Sequence, residues 1–311
     1  MATLLVSQRN FASHATPQGH PERPDRIRAI EEALRPELFP NLLRRDAIAG
    51  DLSLVDLVHA PSYLQALAQT RPAEGMAQID EDTFISSGSL DACATALGAG
   101  LMAVEAVALG EVDNAFCAVR PPGHHAEYER PMGFCLINTI AIVARTTQRK
   151  FGAERVAIVD FDVHHGNGTQ DIFKADPSVF YASSHQMPLF PGTGARNETG
   201  VGNIFNAPLA ARGGKDEMRA AYDGTILPAL EAFRPDFLLI SAGFDADYRD
   251  PLAQLNWRPD DFAWVTGRLM EIAGRCCGGR IVSMLEGGYD RQGLATGVAA
   301  HVTALMGQTS G

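Results

Sequence analysis

The stretch RVAIVDFDVHHGNGTQ, residues 155–170, is the most informative part of the sequence for both the fold and the site. It begins as an apolar run typical of a buried strand and ends in acids, histidines and glycines. Side chains on a strand alternate between its two faces, so Asp160, Asp162 and His164 are predicted to point the same way. Buried charge must be paired or must bind metal, because removing it from water is costly. The stretch therefore predicts a metal site at the end of a buried strand.

Length, composition and charge limit the classes of protein to consider. The 311 residues suit a single large α/β domain, and 46% hydrophobic with 20% charged residues is ordinary for a packed core. The net charge of -11 argues against a nucleic-acid-binding surface and favours cationic partners. Five cysteines without a CxxC spacing indicate a reducing compartment and no disulfide framework.

The chain shows no feature of secretion, membrane insertion or domain division. It does not open with a signal peptide pattern, and its apolar stretches are interpreted as too short or too interrupted to span a bilayer. We therefore expect a cytoplasmic protein without membrane association. No repeat or linker divides it, so residues 1–311 are predicted to form one domain. A homo-oligomer stays open, because nothing in the sequence marks an interface.

Apolar strand-like runs alternate with helical patterns along the chain. This order predicts a parallel sheet covered by helices on both faces. The candidate strands are 113–119, 155–162, 179–184, 236–242 and 280–285, and the candidate helices are 22–35, 88–109, 136–149, 215–233, 259–276 and 291–306.

A polar loop rich in unusual residues follows each of four candidate strands. Ligands of open α/β sheets bind at the carboxyl ends of the strands, so the four loops are predicted to form one site. The loops read RPPGHHAEYERPMGFC, DFDVHHGNGTQ, GFDADYRDP and EGGYD.

Asp162, His164 and Asp245 are the candidate metal ligands. Two carboxylates and one imidazole suit a borderline divalent ion, most simply zinc. Three protein ligands leave a position for water, which is the pattern of a catalytic site. Asp247 and Asp250 are interpreted as turn residues, because aspartate is common in turns.

His124 and His125 are the candidate acid–base residues. Imidazoles near neutral pKa can take a proton from water and give one to a leaving amine. Each ring needs an acceptor behind it to set its tautomer, and Asp160 and Asn167 are the candidates.

Tyr289 follows two glycines that allow a sharp turn, so its phenol could approach the metal and stabilise an oxyanion. An ordinary tight turn is the alternative. Phe190 and Phe134 are candidate apolar walls of the site. The remaining histidines considered are interpreted as core or surface residues, with His185 nearest the site; they are His14, His20, His59, His185 and His301.

The motifs together resemble the zinc-dependent histone deacetylase superfamily, in particular its class II-like bacterial amidohydrolases. They occur in the family's order from about residue 14 to residue 290, beginning with HPERPDRIRAI. The resemblance implies an arginase/deacetylase-like single α/β domain of three layers with a central eight-stranded parallel sheet. The motifs that carry it are RPPGHHAEYERPMGFCLIN, DFDVHHGNGTQDIF, PLFPGTG, SAGFDADYRDPL and EGGYD.

The resemblance also assigns roles to residues of this chain. It implies that Asp162, His164 and Asp245 bind zinc, that His125 is the general base and acid beside His124, and that Tyr289 polarises the acyl carbonyl. It further implies a substrate tunnel, an acetate channel and a structural potassium site. The tunnel residues are Gly133, Phe134 and Phe190, Arg26 lies near the channel, and the potassium residues are Asp160, Asp162, His164 and Ser183.

The implied function is removal of acetyl or other acyl groups from N-ε-acyl-lysine or similar amines. Asn167 stands where class I members carry Asp, whereas class II-like members commonly have Asn. Tyr289 is retained, which argues for real deacetylase activity. An acetylpolyamine amidohydrolase uses the same chemistry and stays open. A binuclear manganese hydrolase would need more carboxylate ligands, and a non-catalytic acyl-lysine binder would be expected to lack a ligand or Tyr289.

Overall fold

The computed structural model describes residues 1–308 and has a central sheet of eight parallel strands. These strands are β1 (Thr3–Ser7), β2 (Leu43–Asp46), β5 (Asn114–Ala118), β6 (Val156–Asp160), β7 (Val179–Gln186), β8 (Ile204–Leu209), β9 (Phe237–Ala242) and β10 (Ile281–Leu285). Their order is β2-β1-β5-β10-β9-β6-β7-β8, and a separate antiparallel hairpin joins β3 (Met76–Gln78) to β4 (Phe84–Ser86). The predicted fold class is confirmed. Residues 309–311 lie outside the described residues, so the predicted extent of the domain to residue 311 stays a prediction.

Helices cover both faces of the sheet, and the inner strands are buried on both sides. They are α1 (Asp25–Ala33), α2 (Tyr63–Thr70), α3 (Ser89–Ala108), α4 (Thr139–Phe151), α5 (Asn167–Phe173), α6 (Lys215–Ala221), α7 (Leu227–Phe233), α8 (Pro259–Cys277) and α9 (Arg291–Leu305). The pair α3 and α4 packs on one face, and α1, α8 and α9 pack together on the other. Short 3-10 helices occur at Phe11–Ser13 and Leu52–Leu57.

Helix ends follow the capping residues in the sequence. The Asn138 side chain accepts a hydrogen bond from the Ala141 amide and caps α4, which ends at Gly152 in the left-handed conformation. The helix predicted over 215–233 is helical throughout, and a π-helical segment, Tyr222–Ile226, joins α6 to α7.

Three strands of the sheet were not predicted. β2 reads LRRD and is exposed throughout, so it has no apolar pattern. β8 reads IFNAPL and includes asparagine and proline, which are depleted in strands. Both lie at the edges of the sheet, where such residues are tolerated. In β1 only Leu4, Leu5 and Val6 form an apolar run, which is shorter than the runs of about four to eight residues typical of a buried strand.

The argument from strand alternation over residues 155–170 was wrong. β6 ends at Asp160, and Asp162 and His164 lie in the loop before α5. Hydrogen bonds within the loop bring them together instead: the Asp162 amide donates to Oδ1 of Asp160 at 3.1 Å, and the His164 amide donates to Oδ1 of Asp162 at 2.9 Å. Turns of this kind are a local property of aspartate.

The expectation that every apolar stretch is too short to span a bilayer needs a correction. α3 has 20 residues and is apolar enough by length and composition. However, 78% of its most apolar window is buried inside the fold, as is typical of the core helix of a layered α/β domain.

Candidate metal and catalytic centre

The four predicted loops meet at the carboxyl edge of the sheet. They follow β5, β6, β9 and β10, and the strands β10, β9 and β6 are direct neighbours. A cavity of about 410 Å³ opens at this edge. Its lining includes His125, His164 and Tyr289 at the polar end and Phe134 and Phe190 on the walls. The predicted single site is therefore assembled as the parallel order of the strands requires.

Asp162, His164 and Asp245 converge on one small volume. Their ligand atoms all lie within 4.8 Å of one another, and all three residues are buried. Nδ1 of His164 lies 3.1 Å from Oδ1 of Asp162 and 3.2 Å from Oδ2 of Asp245. Burial opposes a charge on His164, but the two carboxylates raise its pKa to about 10. The carboxylates thus draw a positive charge into the cluster, which is the demand that a divalent cation meets.

Backbone amides and a glycine lie directly against the two acidic residues of the cluster. Oδ2 of Asp162 accepts a hydrogen bond from the Gly287 amide at 2.7 Å, and Oδ1 of Asp245 accepts one from the Val163 amide at 2.8 Å. A Cβ atom at Gly287 would lie 2.1 Å from Oδ2 of Asp245. Only glycine fits there, so the loop after β10 packs directly on the two acidic ligands. The donor set and this cradle fit the predicted metal.

The two histidines of the loop after β5 lie beside the cluster with different partners. Nδ1 of His124 lies 2.9 Å from Oδ2 of Asp160, and Nδ1 of His125 lies 2.7 Å from Oδ1 of Asn167. Nδ2 of Asn167 donates to Glu127, which fixes its amide oxygen toward His125. His125 therefore donates from Nδ1 and keeps Nε2 free to accept a proton. Both predicted acceptors stand behind the predicted rings.

The pKa values of the two rings do not both stay near neutral, as the sequence argument assumed. Burial opposes a charge on His124, but Asp160, Asp162 and Glu286 raise its pKa to about 10. Burial, together with positive charge on His124 and His164, holds the pKa of His125 well below 6.5. The first ring is a proton donor at neutral pH and the second is an acceptor.

Tyr289 and the two phenylalanines surround the open side of the cavity. The rings of Phe134 and Tyr289 lie edge to face at 5.7 Å, and Phe190 lies 5.2 Å from the His125 ring. Gly133 has a φ of 57°, and a Cβ atom there would lie 2.5 Å from Cδ2 of His125. The backbone at Gly133 therefore contacts the His125 ring directly. These positions match the predicted tunnel, while the role of each residue stays a prediction.

Two predicted residues lie away from the cavity wall. Arg26 is buried beneath Tyr289, with its guanidinium 4.9 Å from the centre of the phenol ring, and it is not among the described residues that line the cavity. Ser183, within β7, pairs in register with Asp160 at the end of β6, and its hydroxyl lies 2.9 Å from Nδ1 of His185. The acetate channel and the potassium site stay predictions.

His20 was interpreted as a core or surface residue, and this was wrong. Its ring lines the cavity and packs edge to face against Phe134 at 4.7 Å. Its Nε2 lies 3.0 Å from the backbone oxygen of Asp82, which connects the segment before α1 to the β3–β4 hairpin. The signal was present in the HPERPDR motif, but no local partner pointed to the site.

Three buried acids near the site were also missed as functional candidates. Glu286 accepts hydrogen bonds from the amides of Gly123 and His124 at 2.7 and 3.2 Å, so it holds the histidine loop. Glu22 contacts the guanidinium of Arg26, which packs against the Tyr289 ring, and Asp250 contacts the backbone of Tyr289. Asp250 is more than the turn residue expected, since its Oδ2 accepts the Tyr289 amide at 2.7 Å. Each of these contacts joins segments that are far apart in the sequence.

Comparisons with known proteins identify a family for this chain. Residues 20–305 match the histone deacetylase domain family. The chain is 40% identical to Histone deacetylase 10, chloroplastic, from Oryza sativa subsp. japonica, over 94% of this chain and 71% of that protein. It is 38% identical to Histone deacetylase-like amidohydrolase from Pseudomonas aeruginosa, over 87% and 73%. The crystal structure of the HDA15 HD domain matches with a TM-score of 0.92 and 36% identity, over 100% of this chain and 89% of that one.

The parallel α/β sheet, the acid–histidine cluster and the flanking imidazoles define a class of hydrolase. Within that class, the chain belongs to the histone deacetylase family, as its motifs indicated. Deacetylase or amidohydrolase activity on acetylated amines follows from that membership.

Proposed function

We propose that this protein is a zinc-dependent amidohydrolase that removes acetyl or other acyl groups from N-ε-acyl-lysine side chains. The observation that carries the proposal is the position of the Asp162–His164–Asp245 cluster at the base of a cavity walled by Phe134 and Phe190. Aromatic walls suit an extended acyl-lysine chain, which is apolar along its length and polar at its amide.

The zinc ion would be held by Asp162, His164 and Asp245, and when bound it supplies Lewis acidity and lowers the pKa of water. Neutral His125 accepts the proton of the attacking water at Nε2, because Nδ1 is committed to Asn167. The phenol of Tyr289 donates a hydrogen bond to the developing oxyanion. Burial raises the pKa of Tyr289 well above its ordinary value, so the phenol keeps its proton.

Proton delivery to the leaving amine completes the reaction. Protonated His125 gives its proton to the amine nitrogen as the carbon–nitrogen bond breaks, and acetate and a free amine are released. His124 stays protonated against Asp160, and its charge lowers the pKa of His125. This charge also makes protonated His125 a stronger acid. We further propose that Asp160, Asp162, His164 and Ser183 would hold a structural potassium ion.

An acetylated polyamine is the second candidate substrate. Glu81 and Asp82 line the mouth of the cavity and would attract a cationic chain. The two further acids in the loop after β9, Asp247 and Asp250, do not support the binuclear manganese alternative. Asp247 forms an ion pair with Arg249 at 2.7 Å, and Asp250 accepts backbone amides.

A side-by-side assay tests the proposal. Purified protein, stripped with chelator and reloaded with zinc, is given an acetyl-lysine peptide and acetylated spermidine, with His125→Ala and Tyr289→Phe as controls. We expect faster hydrolysis of the peptide and large losses in both variants. Hydrolysis of the polyamine alone would transfer the proposal to the second substrate. Full activity after removal of zinc would contradict the metal assignment.

A further inference from the structure

The peptide group that joins Gly288 to Tyr289 is hydrogen-bonded on both sides by buried side chains. Its carbonyl oxygen, on Gly288, accepts a hydrogen bond from Nε of Arg26 at 2.7 Å. Its N–H, on Tyr289, donates to Oδ2 of Asp250 at 2.7 Å. The guanidinium donates to the peptide oxygen and a carboxyl oxygen accepts from the peptide N–H, so both bonds follow the dipole of the peptide. We call Arg26 and Asp250 the peptide clamp.

Each member of the peptide clamp is buried and held in one orientation. Arg26 is 1% exposed, and its Nη1 lies 3.2 Å from Oε1 of Glu22. Glu22 is itself fixed by Arg120, whose Nη2 lies 2.6 Å from Oε2. Asp250 is 6% exposed, and its Oδ1 accepts the Leu252 amide at 3.0 Å. The clamp is therefore anchored in α1, in the loop after β5 and in the loop after β9.

The Gly288–Tyr289 segment, which both clamp residues contact, needs such support. Tyr289 follows two glycines, and glycine backbones lose more freedom on ordering than any other. Gly288 has a φ of 118°, and a Cβ atom there would lie 3.0 Å from Cδ1 of Leu294, so no other residue can stiffen this position. A group that donates to a transition state must be held within a fraction of an ångström. The two glycines alone cannot supply that precision.

We propose that Asp250, together with Arg26, positions Tyr289 for catalysis by fixing the orientation of the Gly288–Tyr289 peptide. The inference rests on the proposed function, because it takes the Tyr289 phenol as the donor to the oxyanion. It gives Arg26 a role that differs from the acetate channel implied by the family resemblance. Asp250 acts through Tyr289 and does not touch the substrate.

A double-mutant cycle on the zinc-loaded protein tests this role. Asp250→Ala should lower kcat about 10- to 100-fold with little change in KM, because the misplaced phenol still lines the cavity but no longer meets the oxyanion. Tyr289→Phe should lower kcat about 100- to 1,000-fold. In the Tyr289→Phe background, Asp250→Ala should cause no more than about a twofold further loss, because its partner is already gone.

Two matched variants separate positioning from general damage to the loop. Asp250→Asn keeps an oxygen that can accept the amide and should lose less activity than Asp250→Ala. Asp247→Ala removes a neighbouring buried carboxylate that does not contact the Tyr289 amide, and its kcat should stay within about threefold of wild type. Equal losses in Asp247→Ala and Asp250→Ala, or losses of Asp250→Ala that multiply with those of Tyr289→Phe, would overturn the inference.

Crystal structures of zinc-loaded wild type, Asp250→Asn and Asp250→Ala decide the question without an activity assay. Displacement of the Tyr289 hydroxyl by about 1 Å in Asp250→Ala supports the peptide clamp. An unmoved hydroxyl overturns it. If the wild-type protein hydrolyses neither substrate, the proposed function fails while this comparison still tests the clamp.

Discussion

The two histidines of the pair have the same side chain but lie in different electrostatic environments. His124 and His125 are adjacent and both buried, and their ring centres lie 4.0 Å apart. Behind His124 lies the carboxylate of Asp160 at 2.9 Å, whereas behind His125 lies the neutral amide of Asn167 at 2.7 Å. The pKa of the first is raised to about 10, and that of the second is held well below 6.5.

The difference shows that charge placement, not residue type, assigns the two roles. A cationic His124 lies against the acids and cannot accept another proton. Its charge also disfavours a second cation on His125, so the second ring stays neutral and can accept a proton at Nε2. The site therefore holds one imidazolium, His124, which keeps its charge, beside one neutral imidazole, His125, which can accept and release a proton.

Loss of a metal ligand should have the largest effect. Asp162 contributes to the cluster and also raises the pKa of His124, so Asp162→Ala removes the metal site and part of the acidic side together. We expect hydrolysis to fall on the order of 1,000-fold or more, since the Lewis acid is lost. Mass spectrometric metal analysis should show less than one zinc per chain. The exposed control Asp216→Ala should keep both zinc and activity.

We expect His125→Ala to lower kcat more than His124→Ala does. Removing the proton acceptor should lower kcat about 100- to 10,000-fold, because general base catalysis is worth that much. His124→Ala removes a fixed charge and leaves the acceptor in place. Steady-state kinetics on both variants compares them directly. An equal loss in the two variants would mean that both rings transfer protons and that the division of roles is wrong.

Asp160→Asn should reduce the contrast between the two rings. The variant keeps an oxygen near Nδ1 of His124 but removes the carboxylate that raises its pKa most, so the pKa of His124 should fall toward its ordinary value. Activity should drop about 10- to 100-fold, as is usual for a partner behind a catalytic imidazole. NMR titration of the histidine ring nitrogens measures the pKa. Retention of a protonated His124 at pH 8 would show that Asp162 and Glu286 suffice.

Asn167→Asp should have the smallest effect at neutral pH and a clear effect in acid. A carboxylate behind His125 favours the imidazolium and should raise the pKa of His125. The base must be neutral to act, so activity rises with pH through this pKa. The acid limb of kcat/KM should therefore move to higher pH in the variant, with a larger loss at pH 6 than at pH 8. An unmoved acid limb would exclude His125 as the group that controls it.

Much of the fold was predictable because the inner strands are continuous apolar runs separated by helical periods. The strands β5, β6, β7, β9 and β10 were found close to their predicted positions. The edge strands β2 and β8 were not, because their residues are polar or include proline. The metal ligands could be named because burying an Asp, a His and a second Asp at strand ends is costly unless they share a cation.

Apolar periodicity and motif order are local properties of the chain, and they were enough to predict the parallel α/β fold, the family and the residue types of the site. The folded structure was needed to decide which histidine carries the charge, because that depends on distances to Asp160, Asp162 and Glu286. It also decided that Arg26 and Asp250 hold one peptide from opposite sides, although they are separated by more than 200 positions in the chain. Contacts of this kind form only when the loops pack together, so no local pattern encodes them.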